Sequence, residues 1–150
     1  MKNKIILIIT IGFIITAGIL IFRSNTRRYV SDESFQNNII KQKELNGRVL
    51  ALLHENGIKE DSLLKAELRF YTDDQDKANN LVAGLRKLNY TVDTYNKSDE
   101  DQVLWEVSGW STLIQINSTA VTQWTDLMCK TGFDNDCEFD GWWYKIKDTK

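Results

Sequence analysis

The chain contains no proline, one histidine and two cysteines in 150 residues. Without proline, every turn must be built from Gly, Asn or Asp. With His54 as the sole imidazole and no G-x-S-x-G elbow, the usual nucleophile-and-base constellations have no material. Two cysteines exclude a disulfide-framed mini-protein. Acidic residues are absent from the first 28 positions, and all 21 lie beyond them, against 14 Lys and Arg in the same stretch. That part of the chain therefore carries a net charge of −7, which excludes nucleic-acid binding through a broad basic surface. Sixteen aromatics (five Trp, five Tyr, six Phe) argue against disorder.

Apolar residues are as unevenly spread as charge. Ile5 to Phe22 is an uncharged run of 18 residues, preceded by Lys2 and Lys4 and followed by Arg23, Arg27 and Arg28. As a helix it spans about 27 Å, close to a hydrocarbon core. It exceeds a signal peptide's apolar region and lacks a small-residue cleavage site, so a single-pass transmembrane anchor is expected after a tail of residues 1–4. Two lysines against three arginines leave both orientations open.

Residues 23–33 read as a polar linker. Residues 34–150 are long enough for one compact domain. An amphipathic helix is expected over about 34–56, capped near Ser31 to Ser34 and carrying Phe35, Ile39, Leu45, Val49, Leu52 and Leu53, with Asn56-Gly57 stopping it. Strands, helices and turns then follow over about 66–147. Leu68 and Phe70 alternate with Glu67, Arg69 and Tyr71. Asp73, Asp74 and Asp76 suit a helix start, ahead of the stripe Ala78, Leu81, Val82, Leu85 and Leu88. Asn89 suits a left-handed stop, and Tyr90 to Tyr95 a second strand. After the acidic turn 96–102, Val103 to Trp110 alternates again and can extend to Ile114 or Ile116. Asn117 or Ser118 can cap a helix with Val121, Trp124, Leu127 and Met128, closed by Thr131-Gly132. Trp142, Tyr144 and Ile146 alternate with Trp143, Lys145 and Lys147 as a last strand. This order predicts an α+β fold, a ferredoxin-like β-α-β-β-α-β sandwich with both helices on one sheet face.

The other sheet face is then solvated, covered by the N-terminal helix, or used for binding. It should carry Arg69, Tyr71, Leu104, Glu106, Trp110, Trp143 and Lys145. RNP patterns for base stacking are absent and the domain is acidic, so a protein-binding face fits better than RNA. The acidic stretch Asp134, Asp136, Glu138, Asp140, Gly141 opens like a calcium loop, but its twelfth position is Lys147, where a bidentate Glu is required. It reads instead as a solvated loop turning on Asp140-Gly141, and no metal or cofactor is expected. Cys129 and Cys137 would form a disulfide across that loop in an oxidising compartment and be free thiols in a reducing one.

The stretch ELRFYTDDQDKANNLVAGLRKLNYTVDTY, then LWEVSGW, then FDGWWYKI, in this order and preceded by LLHENGIKEDS, resembles the RraB family, the regulators of ribonuclease E activity. The family's closing signature falls on Phe139, Asp140, Gly141 and Trp142. The resemblance covers about 49–147. It implies a ferredoxin-like fold, no enzymatic activity, and a protein partner that is ribonuclease E or another nuclease. The chain departs from the family pattern at Asn89, at the absent proline before the second helix, and in the loop Phe133 to Glu138. The expected function is a membrane-anchored, non-catalytic, protein-binding regulator without direct nucleic-acid binding, located at the cell membrane and on its cytoplasmic side if the family function holds. The alternatives are an anchored immunity or inhibitor protein against a toxin, and a metal-binding module on the acidic loop.

Overall fold

The first helix starts within the expected stretch Ser31 to Ser34. Ser31 lies in extended backbone, and its hydroxyl accepts from the Ser34 N–H at 3.0 Å, while Asp32 and Glu33 face the positive end of the helix dipole. Helix α1 spans Asp32–Glu55. Gly57 then takes a positive φ of 80° and turns the chain away. The computed structural model describes residues 28–97 and 104–144. The anchor Ile5 to Phe22, residues 23–27 of the linker, the turn beyond Lys97, and Lys145 with the predicted strand end lie outside the described residues. Among the described residues no helix is long and apolar enough to cross a membrane.

The remaining elements are β1 (Leu63–Thr72), α2 (Gln75–Lys87), β2 (Thr91–Lys97), β3 (Trp105–Gln115), α3 (Ser118–Asp134) and β4 (Glu138–Trp143). Their starts and stops follow local chemistry. Asp74 caps α2, accepting from the N–H groups of Asp76 (2.9 Å) and Lys77 (3.2 Å). Asn89 ends α2 at φ 60°, as its short amide side chain allows. Asn117 caps α3, accepting from Ala120 N–H at 2.8 Å.

The four strands form one antiparallel sheet in the order β2-β3-β1-β4. β1 and β3 are central, which is the split β-α-β order. On β1, Ala66, Leu68 and Phe70 are buried while Glu67, Arg69 and Tyr71 are only partly covered. The inner face packs on Ala78, Leu81, Val82 and Leu85 of α2 and on Val121, Met128 and Cys129 of α3. Each such Leu, Val or Phe contributes about 1.5–3 kcal/mol by leaving water. Trp124 stands edge-on to Trp142 (5.7 Å between centroids), and its indole N–H donates to the Tyr90 hydroxyl at 2.9 Å.

The structure departs from the periodicity at four places. In α1 the residues buried at helical spacing are Asn38, Gln42, Asn46 and Leu53, whereas Leu52 is 51 % exposed. Leu88 and Leu127 also face solvent. Helix α3 does not close at Thr131-Gly132 but runs on to Asp134; Gly132 is buried, and an added Cβ there would lie 2.5 Å from Cys137 O. Finally, β4 begins at Glu138 rather than Trp142, and Asp140-Gly141 is not a turn but an irregularity within the strand.

Candidate functional site

The signature Phe139-Asp140-Gly141-Trp142 is a β-bulge on an edge strand. β4 pairs Gly141 with Arg69 and Phe139 with the adjacent Phe70, so Asp140 is the extra residue. A bulge leaves carbonyls without ladder partners, and here side chains of α1 satisfy them. Asn38 Nδ2 donates to Phe139 O at 2.7 Å. Gln42 Nε2 lies 3.3 Å from Phe139 O and 3.1 Å from Asp140 O. One turn further, Asn46 Oδ1 accepts from the Trp142 indole N–H at 2.9 Å, and Asn46 Nδ2 donates to Thr125 Oγ1 at 2.9 Å. The three amides stand at i, i+4 and i+8 on one helix face, so a single polar stripe fixes α1 along the sheet edge. Gly141 has φ 149°, which suits glycine alone.

Helix α1 therefore packs on α3 and β4 and is not seated on the open sheet face. On that open face, four of the predicted residues meet. Arg69 Nε lies 3.3 Å from Glu106 Oε1, and Arg69 Nη1 donates to the Tyr71 hydroxyl at 3.4 Å. Tyr71 in turn donates to Glu106 Oε2 at 3.3 Å. The Arg69 guanidinium lies over the Trp143 ring, 4.6 Å from its centroid. Burial raises the Tyr71 hydroxyl above its ordinary value, and the nearby Glu106 charge adds to this against the opposing Arg69 hydrogen bond. Glu67 completes the group by accepting from the Trp143 indole N–H at 2.6 Å. Trp110 stands opposite Glu67 in the register. Leu104 is half-buried just ahead of β3, and Lys145 is outside the described residues. Leu63 (59 % exposed) and Leu113 (58 %) extend the face at its far end, where Leu113 pairs with Lys65.

The acidic loop is a structural junction. Asp136 adopts φ 56° and accepts from the backbone N–H groups of Tyr29 (3.0 Å) and Val30 (2.9 Å). Its carboxylate also meets Lys77 Nζ at 2.6 Å, and its carbonyl accepts from Thr72 Oγ1 at 2.9 Å. Burial alone would raise the Asp136 carboxyl, but Lys77 and the two N–H groups outweigh it and hold it below the usual carboxylate range. Arg28 donates to Phe133 O and lies over the Phe133 ring, which stacks on Phe35 at 4.4 Å. Among the described residues no group of three or more His, Cys, Asp or Glu side chains is placed to hold a metal ion. Cys129 and Cys137 are free and buried rather than joined. Burial pushes each thiol up to about 12.

A family model described as Regulator of ribonuclease activity B, RraB, matches residues 43–143. The chain belongs to the RraB family. No curated protein matches it. The RraB match runs from the middle of α1 to the last residue of β4, so it takes in the whole sheet, both crossover helices and Asn46. RraB is a regulatory family, and the described residues form an α+β fold with a four-stranded antiparallel sheet and three helices.

The bulge was legible in the sequence as a Gly-containing motif but not as a strand irregularity. Asn38, Gln42 and Asn46 carry no apolar periodicity that marks them as buried. Their only sequence signal is three amide side chains at four-residue spacing, one helical face, and that pattern is equally at home on a solvated surface.

Proposed function

We propose that this RraB-family protein is a membrane-anchored, non-catalytic regulator that binds a ribonuclease, ribonuclease E in the first instance, through its open sheet face. The observation that carries the reading is the locked group Arg69, Tyr71 and Trp143. Arg, Tyr and Trp are the side chains that dominate protein interfaces. Here they are half-exposed and already held in place by Glu67 and Glu106, so docking would cost little side-chain ordering. Leu63, Leu113 and Trp110 supply apolar surface beside them, and the Arg69 cation is paired with Glu106, as suits a protein partner better than a phosphate backbone.

The anchor is the apolar run Ile5 to Phe22. The chain is tied to the domain at Arg28, Tyr29 and Val30, six residues after Phe22. Six residues reach at most about 20 Å, so the α3–β4 corner around Asp136 stays within about that distance of the anchor's end. The soluble domain faces the cytoplasm, where RNA and ribonucleases are. The test is RNA cleavage by purified ribonuclease E with full-length protein added in detergent. Cleavage should slow saturably, and Arg69→Ala with Trp143→Ala should abolish the effect. An unchanged cleavage rate at saturating protein would refute the proposal.

A further inference from the structure

We propose that the open sheet face takes a basic, extended segment of the protein partner, one carrying arginine or lysine side chains. The inference rests on the protein-binding reading given above and names the chemistry of its partner.

The register sets out the face as three rows across β3, β1 and β4. Glu106, Tyr71 and Glu138 form the first, Ser108, Arg69 and Gly141 the second, and Trp110, Glu67 and Trp143 the third. Partners in register on adjacent strands point to the same face. Carboxylates therefore flank Tyr71 on both sides, and another lies between two tryptophans. A fourth, Asp140, stands at the β4 edge. After burial and the Glu106 charge, its charge also raises the Tyr71 hydroxyl.

Against these carboxylates the three rows hold one cation, Arg69, which Glu106 already engages at 3.3 Å. Lys65 lies beyond the rows, opposite Leu113. Among the described residues neither Glu67 nor Glu138 has an ion pair. Asp140 has only Lys41, 3.8 Å away and half in solvent. All four carboxylates are partly covered, so an opposing cation is worth more to them than to fully solvated ones. Arg69 shows what such a cation meets here, since it pairs with a carboxylate and lies over the Trp143 ring.

Charge also selects against other occupants. The chain beyond residue 28 carries a net charge of −7. A second copy, a phosphate backbone and an anionic lipid surface would each bring like charge to the face. Spacing favours an extended segment. The rows of Glu138 and Glu67 are four β1 residues apart, about 13 Å along the strand, and two cations four positions apart on an extended chain span the same distance.

The experiment is an NMR titration of the full-length protein in uncharged detergent, following the Trp143 indole N–H. The probe is the capped heptapeptide Gly-Arg-Ser-Gly-Ser-Arg-Gly, with counterparts carrying citrulline or glutamate in place of both arginines. The arginine peptide should give saturable shifts, and the other two none. Glu67→Gln with Glu138→Gln, which keeps an acceptor for the Trp143 indole, should weaken binding about tenfold, as loss of charge-assisted contacts does. Removing the same charge from the exposed side of α1, by Glu44→Gln with Glu55→Gln, should leave binding unchanged. Absent saturation, equal binding of the citrulline peptide, or an equal loss in the two double variants would overturn the proposal. Peptide failure alongside intact ribonuclease E binding removes the basic-segment inference alone. Peptide binding without ribonuclease E binding removes the regulator reading instead.

Discussion

Replacing Asn46 by alanine tests whether the polar stripe of α1 holds the sheet edge. Asn46 is 2 % exposed and serves two partners at once, the Trp142 indole and the Thr125 hydroxyl, both at 2.9 Å. In Asn46→Ala the Trp142 N–H stays in the core without an acceptor, at a cost of about 1–3 kcal/mol. Thr125 loses less, because its hydroxyl still donates to Thr122 O at 3.1 Å. With the vacated volume added, the destabilisation should be about 2–4 kcal/mol. For a domain of this size that lowers Tm by roughly 8–16 °C. Near-ultraviolet circular dichroism reads the transition through the tryptophans. Trp142→Phe removes the indole donor, so in that background the Asn46→Ala loss should shrink by about 1 kcal/mol or more, a coupling that only contacting residues show. A Tm within about 1 °C of the parent, or strict additivity with Trp142→Phe, would refute the reasoning.

Further predictions follow from the junctions. The depressed Asp136 carboxyl contributes stability that is fully present above the ordinary carboxylate pKa and is lost as the pH falls through its lowered folded value. Denaturant melts of parent and Asp136→Asn should therefore differ at neutral pH and converge in acid, and a constant difference would contradict this. Cys129 and Cys137, pushed to about 12, should hold about one part in 10⁴ thiolate at pH 8 and resist alkylation until the protein unfolds. Rapid labelling of either thiol in the native protein would show the packing to be wrong. Gly132→Ala ordinarily favours a helix by up to about 1 kcal/mol. Here the added Cβ would lie 2.5 Å from Cys137 O and 3.1 Å from the Phe70 ring, so Tm should fall; a rise would remove the assigned close approach.

What could be read in advance was local. The α2 stripe from Ala78 to Leu85, the acidic start of that helix and the Asn89 stop follow from neighbours within a few residues, and they stand where the spacing puts them. The side of the sheet carrying Arg69, Tyr71, Glu106 and Trp143 was legible because strand alternation needs no tertiary knowledge. What escaped depends on distant partners. Asn38 and Gln42 are buried because they reach carbonyls about 100 positions away, at a bulge that reads as a turn when only Asp140-Gly141 is visible. Gly132 looks like a helix stop until Cys137 and Phe70 are seen against it.

The central claim, a regulator that grips a ribonuclease through the open face, is tested most directly by co-purification. Full-length protein is captured from detergent-solubilised membranes and ribonuclease E is measured in the eluate, beside an equally folded Arg69→Ala, Trp143→Ala variant. The account predicts that the parent retains ribonuclease E and the variant does not. Absence of ribonuclease E from both eluates, or equal amounts in the two, would contradict it.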